Sequence, residues 1–349
     1  MARQIVGVDI GRDTIRAVEL ENPDKARPVI ARYAEIALPP NAVSNGEVRE
    51  LNTVAFAMRK LWSTGGFKSK RVVIGMGNQR VLARDLTVPK LGLQQIRESL
   101  PFQVQDMLPV PVSDALLDFY PLSDGVSEHG PVVHGLLIAA IKDSVLDNIK
   151  AISQAGLSTA QVDLIPFALT RVLTRGRVSA GTVALIDIGA DTTSVVVASK
   201  GIPYFVRMMP SGGEDITSAL VREVQVSPEQ AEYIKRQRGI LVSAGAGEIE
   251  QRATKIMHEV TQQLLGNIRN TLNFYSTGHP GDPIQSVVLS GRGSALPGLA
   301  HMFGDMMNLP VVASDPFADF DLSRSARRIQ SVDRQSMTVA LGLALGSAA

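Results

Sequence analysis

The sequence predicts an α/β fold of two lobes built on an internal duplication, and three observations carry that reading. Its 349 residues exceed the size at which a single hydrophobic core usually stops growing. The ten residues from Asp9 (DIGRDTIRAV) recur from Asp187 (DIGADTTSVV), 178 positions later, with six identical by position. One copy in each half is the mark of a duplicated fold. Strand-like apolar runs also alternate with helical periodicities along the chain.

The elements follow in order. Ile5 to Ile10 is a buried-strand run that ends in a glycine turn, and Thr14 to Leu20 is the return strand of a hairpin. A helix is expected around Val48 to Trp62 and a strand over Arg71 to Met76. A region of different flavour follows: a helix from Gln94 to Met107 interrupted by Pro101, a polar hairpin loop at Ser123 to Gly130, a strand at His134 to Ile141, and an amphipathic helix from Ser144 to Gln154. It reads as an inserted α+β subdomain. Two helices follow the second hairpin, the latter opening at Ser227 with a proline in its first turn and a capping-box glutamine. After a Gly/Ala/Ser loop at Val242 to Gly247, a long helix runs from Glu248 to about Tyr275, with Ile256, Leu264, Ile268 and Leu272 on one stripe. The strand Ser286 to Ser290, the turn Gly291-Arg-Gly-Ser and a helix from Pro297 to Asn308 complete the pattern.

Composition excludes several classes of function. Acids and bases are interspersed to a net charge of +1, with no like-charge run to mark a nucleic-acid surface or a polybasic membrane patch. There are no cysteines, so disulfides, zinc–thiolate centres and thiol nucleophiles are absent. The five histidines show no metal-ligand spacing. No P-loop pattern occurs, and Gly75-Met-Gly77 is followed by Arg80 where a dinucleotide fingerprint needs glycine. Met302, Met306 and Met307 read as core. The N-terminus carries no signal-peptide pattern, and the apolar stretch Met337 to Ala349 is too short to span a bilayer, so any membrane association is expected through a partner.

The duplicated hairpin suits a polyphosphate. An aspartate closing a buried strand can face a hydrated metal ion, the glycine lets the backbone approach a phosphate, and the hydroxyl residues add donors. A single copy is equally a turn whose Asp and Gly serve only the turn; a second copy in the other half places two carboxylates where one cation could sit. Three further segments have matching chemistry. The turn at Gly291 to Ser294 can lay flat backbone against a base, or simply connect strand to helix. The segment Pro210 to Thr217 opens a helix and so offers free N–H groups to an anion. Glu232 and Lys235 share a helix face, where the bland reading is a solvated ion pair.

Taken together and in order, Asp9-Ile-Gly, Asp187-Ile-Gly-Ala-Asp-Thr-Thr, Gly212-Gly-Glu-Asp-Ile-Thr, Ala231-Glu-Tyr-Ile-Lys235 and Leu289-Ser-Gly-Arg-Gly-Ser resemble the actin, sugar-kinase and chaperone ATPase superfamily. Within it the pattern is closest to the PilM family of type IV pilus assembly and its relative FtsA of cell division. The resemblance covers essentially the whole chain. It implies an actin-like, ribonuclease H-like duplicated fold with the inserted subdomain that PilM and FtsA share. Lobe 1 then spans residues 1–180, with its core at 1–83 and 160–180, a C-terminal helix at 337–349 and the insertion at 84–159. Lobe 2 spans 181–336, with a helical part at about 212–275.

The resemblance further implies ATP or ADP with Mg2+ as cofactors. Asp9 and Asp187 face the metal; Gly11, Arg12, Asp13 and Thr14, with Gly189, Ala190, Asp191, Thr192 and Thr193, form the phosphate loops. Gly212, Gly213, Glu232 and Lys235 line the ribose and adenine, beside the adenosine turn of Gly291, Arg292, Gly293 and Ser294. Arg292 departs from the usual glycine, and its guanidinium either stacks on adenine or points to solvent. Ile165 and Pro166 stand where hydrolysing relatives often place a Glu or Gln that orients water, which implies slow turnover at most.

The implied partner is the cytoplasmic N-terminal peptide of a bitopic, PilN-like pilus protein, captured beside the insertion near Leu136 and Phe102, although these apolar residues can equally be the subdomain's own core and Leu136 reads more as core, with other pilus components and self-association in addition. The implied location is the cytoplasm, at the inner face of the cell membrane through that partner. Two other functions compete. A small-molecule kinase needs a catalytic carboxylate beside the second loop, where Asp191 is the one candidate and its twin Asp13 suggests a turn role. An FtsA-like filament needs a basic amphipathic tail, which the ending Ala340 to Ala349 does not supply.

Overall fold

The computed structural model describes residues 5–176, 181–241, 247–329 and 332–346. The expected loop at Val242 to Gly247, apart from Gly247, lies outside the described residues, as do the N-terminal four residues and the last three of the expected C-terminal helix.

β1 (Ile5–Ile10), β2 (Thr14–Glu21) and β3 (Val29–Ala37) pair antiparallel in sequence. A short ribbon of β4 (Val43–Ser44) and β5 (Glu47–Val48) leads to α1 (Leu51–Gly65), which ends where Gly66 turns left-handed at φ 65°. β6 (Arg71–Met76) then lies parallel to β1. A separate sheet follows from β7 (Val81–Pro89), β8 (Ala115–Ser127) and β9 (Gly130–Ile141), in the order β7-β9-β8, with α2 (Leu93–Gln103) between β7 and β8. The expected hairpin is present, but its loop at 123–130 shrinks to a turn of Glu128 and His129, since Ser123 pairs with His134 and Asp124 with Val133. The polar side chains there belong to an exposed strand end, and Lys90 pairs with Asp124 at 2.6 Å. α3 (Lys142–Gln154) and β10 (Ser158–Leu164) return the chain to the first sheet, parallel to β6, and α4 (Ile165–Leu173) follows.

The second half repeats the plan. β11 (Thr182–Ile188), β12 (Thr193–Ser199) and β13 (Ile202–Met209) pair antiparallel, and α5 (Gly213–Val224), α6 (Pro228–Arg238) and α7 (Glu248–Gly278) follow. β14 (Ile284–Ser290) and, beyond α8 (Leu299–Met307), β15 (Val311–Ala313) add parallel to β11. The orders β3-β2-β1-β6-β10 and β13-β12-β11-β14-β15 are the same arrangement, so the ten-residue repeat is the visible part of a duplicated five-stranded sheet. One further strand, β16 (Asp321–Leu322), pairs parallel with the outer edge of β3, which sets residues 321–329 against the first sheet although they follow the second in sequence. α9 (Thr338–Ala344) comes last.

Both hairpins are buried on two faces, which accounts for their near-continuous apolar runs. Val6, Val8, Ile15 and Ala17 face α1 and α3 in a core with Met58 and Ile152. Alternate residues Ile5, Val18 and Leu20 face the other way, into a core that also takes Leu185 and Val196 of the second sheet. α4 and α9 contribute Leu169 and Leu341 to that shared core. Leu136 of β9, where core packing was the stronger expectation, is 2% exposed and belongs to the same core, whereas Phe102 is 86% exposed.

Two glycines set the spacing of this middle layer. A side-chain carbon on Gly7 would overlap the Ala340 carbonyl and the Ala344 nitrogen, and one on Gly342 would overlap the Ala168 carbonyl. Gly75 and Gly77 do the same for α4, since each makes room for the Ile165 side chain. Gly7→Ala is therefore expected to lower unfolding stability by about 3 kcal/mol, read as a fall in the urea midpoint at unchanged slope. Gly266→Ala in α7, where an added methyl meets nothing within 4 Å, should instead raise it by about 0.5–1 kcal/mol.

Candidate functional site

The β1 and β11 hairpins end side by side. In the strand register Asp9 lies opposite Arg16 on β2, and Arg16 lies opposite Glu35 on β3, so one row of the first sheet reads acid, base, acid. Arg16 Nη1 donates to Asp9 Oδ2 at 3.2 Å, and its Nε is 3.6 Å from Glu35 Oε2. The equivalent row of the second sheet is Asp187, Ser194 and Met208, with no cation, and Ser290 on β14 flanks Asp187 from its other side. The Ser290 hydroxyl hydrogen-bonds Asp187 and lies 2.9 Å from Thr338 Oγ1, at the start of α9.

Asp9 is near enough to Asp187 for its charge to act on that carboxyl. Burial lifts the Asp187 carboxyl from its usual 3.8 to about 6, the Ser290 hydrogen bond opposes the rise, and the Asp9 charge adds to it. Burial also raises Asp9, against the pull of Arg16. Among the described residues no third carboxylate or histidine joins them in a metal-binding cluster.

The turns of the two hairpins are alike. Gly11 N–H donates to Thr14 O at 3.1 Å and Gly189 N–H to Thr192 O at 2.9 Å. Among the described residues, the N–H groups of Arg12, Asp13, Ala190 and Asp191 at the two tips make no backbone hydrogen bond. The expectation for the start of α5 is corrected. Gly213 N–H is taken by Gly189 O at 2.9 Å and Glu214 N–H by Ala190 O at 3.0 Å, while Gly212 N–H is taken by the Asp215 carboxylate at 3.0 Å. Those groups seat the second hairpin rather than stand free for an anion. Thr193 assists by donating to Ser211 O at 2.8 Å.

The remaining residues converge on the same end of the second lobe. Gly291, at φ 80°, and Gly293 pack on Ile188, where any side chain would collide, so the adenosine-type turn rests directly against the second hairpin. An added carbon on Gly213 would lie 3.7 Å from Gly293 Cα and 3.8 Å from Lys235 Nζ. Ser294 folds its hydroxyl back onto Gly291 O at 2.6 Å. Glu232 and Lys235 are more than a solvated pair. Lys235, 14% exposed, donates to Thr217 Oγ1 at 2.7 Å and Gly213 O at 3.1 Å while it salt-bridges Glu232. These contacts outweigh the burial that alone would raise Glu232, and hold its carboxyl below the usual range.

Three charged contacts escaped the sequence reading. Arg292, a third exposed, is not free for stacking: its Nη2 reaches both oxygens of Glu35, on the other lobe, at 2.7 Å. Asp191 has no mere turn role; it pairs with Arg12 of the first lobe at 2.6 Å. Arg16 was visible as a mismatch, Arg against Ser, at a position of the repeat that the register sets opposite the aspartate. A cavity of about 360 Å3 also opens between α6 and α7, lined by Tyr233, Ile234 and Ile249, but its charged residues Arg238 and Glu250 pair with each other at 2.7 Å.

Two lobes of identical topology, facing each other through paired aspartates and glycine turns, define the actin-like class of nucleotide-binding folds. The chain belongs to the type IV pilus assembly protein PilM family, whose profile matches residues 7–348. A solved PilM–PilN type IV pilus biogenesis complex contains a chain 27% identical to this one, with a TM-score of 0.86 over 99% of this chain and 98% of that one. The cell division protein FtsA of Bacillus subtilis is 23% identical, covering 89% of this chain and 78% of its own length. In fold alone, MreB5 of Spiroplasma citri, solved with bound AMPPNP, is similar at a TM-score of 0.53 and 11% identity over 98% of this chain and 95% of that one.

The raised Asp187 carboxyl has a consequence for stability. Between about pH 4 and 6 the folded chain keeps a proton that the unfolded chain has released, so raising the pH through that window weakens folding, by on the order of 3 kcal/mol once it is passed. Asp187→Asn removes that loss. The variant should match the parent near pH 4 and exceed it in denaturant midpoint at pH 7.5; equal midpoints at both pH values would show that Asp187 is not under strain.

Proposed function

We propose that the cleft binds a magnesium-bound adenine nucleotide, ATP or ADP, and that the chain is a nucleotide-dependent, actin-like scaffold of type IV pilus assembly. The observation that carries this reading is the meeting of Asp9 and Asp187 at the ends of two duplicated hairpins. Two carboxylates that burial raises, one of them further by its neighbour's charge, make a site a divalent cation would relieve. Magnesium fits it, because that ion commonly takes only one or two protein carboxylates and completes its shell with water and phosphate oxygens. When bound, it would neutralise phosphate charge between the lobes.

The chain's own residues supply the rest. The loops Gly11 to Thr14 and Gly189 to Thr193 would present the N–H groups of Arg12, Asp13, Ala190 and Asp191 to the phosphates, the turn at Gly291 to Ser294 would carry the adenosine, and Gly212, Gly213, Glu232 and Lys235 would border the ribose and base. Slow turnover accompanies this reading. Ile165 is spent on packing against Gly75 and Gly77, and the Asp163 carboxylate is taken by Leu164 N–H and Arg171, so neither is free to orient water.

Family membership and likeness to the PilM–PilN complex support a PilN-like partner, gripped by its cytoplasmic N-terminal peptide. Among the described residues no helix is long and apolar enough to cross a membrane, so we place the chain at the inner face of the cell membrane through that partner. Other pilus components and self-association belong to the same proposal.

Calorimetry tests the cleft. Asp9→Ala and Asp187→Ala should each lose magnesium-dependent ATP binding by about a hundredfold or more while melting cooperatively, and unchanged affinity in both would sink the reading. Turnover of the parent should stay well below about 10 per second, the median for ordinary enzymes. For the partner, Phe102→Ala is expected to weaken capture of a PilN-like N-terminal peptide about tenfold with nucleotide affinity unchanged, since losing one exposed aromatic contact is worth about 1.4 kcal/mol.

A further inference from the structure

The lobes are tied across the cleft by charge at the tips of the hairpins. Arg12 Nη1, on the first lobe, donates to Asp191 Oδ1 at 2.6 Å, and Nη2 reaches Glu214 Oε1 at 3.3 Å, both on the second. The other Asp191 oxygen accepts from the N–H of Asn45, again on the first lobe, at 3.1 Å. One second-lobe carboxylate, with only a tenth of its side chain exposed, is thus held on both oxygens by the first lobe. The duplication supplies its own comparison. Asp13, the counterpart of Asp191 in the first copy, is 59% exposed and meets only Arg12 Nε, at 3.5 Å. Turn chemistry would treat the two aspartates alike, so the burial and double grip of Asp191 have another cause.

The position of Arg12 suggests one. Its guanidinium joins the two loops whose tip N–H groups make no backbone hydrogen bond, and three carboxylates, Asp191, Glu214 and Asp13, already engage it. An entering polyphosphate meets no spare cation there. It must part the Arg12 contacts to pass between the tips, and it can then take the guanidinium for itself, because a phosphate bearing two charges competes well with a single carboxylate. Asp191 gives up the Asn45 N–H as well and regains water as the tips separate.

We propose that Arg12, Asp191 and Glu214 form a latch that holds the cleft shut without ligand, and that polyphosphate opens it by exchanging for the carboxylates on Arg12. The proposal rests on the reading of the cleft as a nucleotide site. It makes Asp191 and Glu214 positioning residues that set how fast ligand enters and leaves. The second inter-lobe pair, Arg292 with Glu35, lies at the adenosine-type turn and stays in place when the latch is cut.

The absence of cysteine makes the test clean, since spin labels can be placed on cysteines introduced at the exposed Lys60 of α1 and Lys255 of α7 alone. Inter-label distances are measured without nucleotide, and association and release of a fluorescent ATP analogue with magnesium are followed by stopped flow, in the parent, Asp191→Asn, Arg12→Ala and the double variant. Cutting the latch from either side should broaden the distance distribution. Asp191→Asn should raise both rates about tenfold, the equivalent of about 1.4 kcal/mol. Arg12→Ala should speed entry likewise and bind ATP more weakly than Asp191→Asn, and the double variant should match Arg12→Ala rather than add to it. Unchanged distances in both single variants overturn the latch, as do broadened distances with parental rates. If the parent binds no analogue at all, the nucleotide reading fails by itself, and the distances alone then decide whether the tips are latched.

Discussion

The whole arrangement depends on how closely α9 is pressed between β1 and α4. Backbone meets backbone at Gly7 on one side and at Gly342 on the other, and no side chain larger than hydrogen fits at either point. Arg171 fastens the stack by donating from Nε to Gly342 O at 3.1 Å while its other end salt-bridges Asp163. The same helix begins at Thr338, beside Ser290 and so beside Asp187. A single short helix therefore fixes the floor of the cleft on the second lobe and the depth of β1, which ends in Asp9, on the first. The distance between the two aspartates is a packing distance before it is an electrostatic one.

Much of this was legible from sequence because it is periodic or repeated. Ten residues around Asp9 and Asp187 were enough to infer two lobes, and the sheets built on them share one strand order. Long helices and buried strands were equally plain. What stayed hidden depends on which residues a fold brings together across hundreds of positions. Arg292 could not be assigned to Glu35, 257 residues away, nor Arg12 to Asp191, 179 away. The start of α5 was misread for a related reason. A helix N-terminus has donors to spare only if no neighbouring loop uses them, and the carbonyls of Gly189 and Ala190 do. The β8–β9 hairpin is legible, but its loop reads too long because the exposed strand end carries turn-like residues and has little core to face.

Charge in the cleft is arranged by register. Asp9, Arg16 and Glu35 fall on one row of three neighbouring strands, and Arg292 extends the row from the facing lobe, so acid and base alternate from the floor outwards. The second copy lacks this row, with serines beside Asp187, and it is Asp187 that burial lifts to about 6. Duplication thus gave two like hairpins different work: one aspartate has a resident cation, and the other has hydroxyls.

The path of the chain has a mechanical meaning. It leaves the first lobe after α4, builds the second sheet, and then returns at β16 to the outer edge of the first sheet, on β3, before α9 threads back between the two. The lobes are consequently joined by two separate covalent crossings. Two fixed points define a line, and bodies pinned at two points can turn about that line but cannot slide past one another. The softest motion open to this molecule is a swing on one axis, as of a door on two hinge pins.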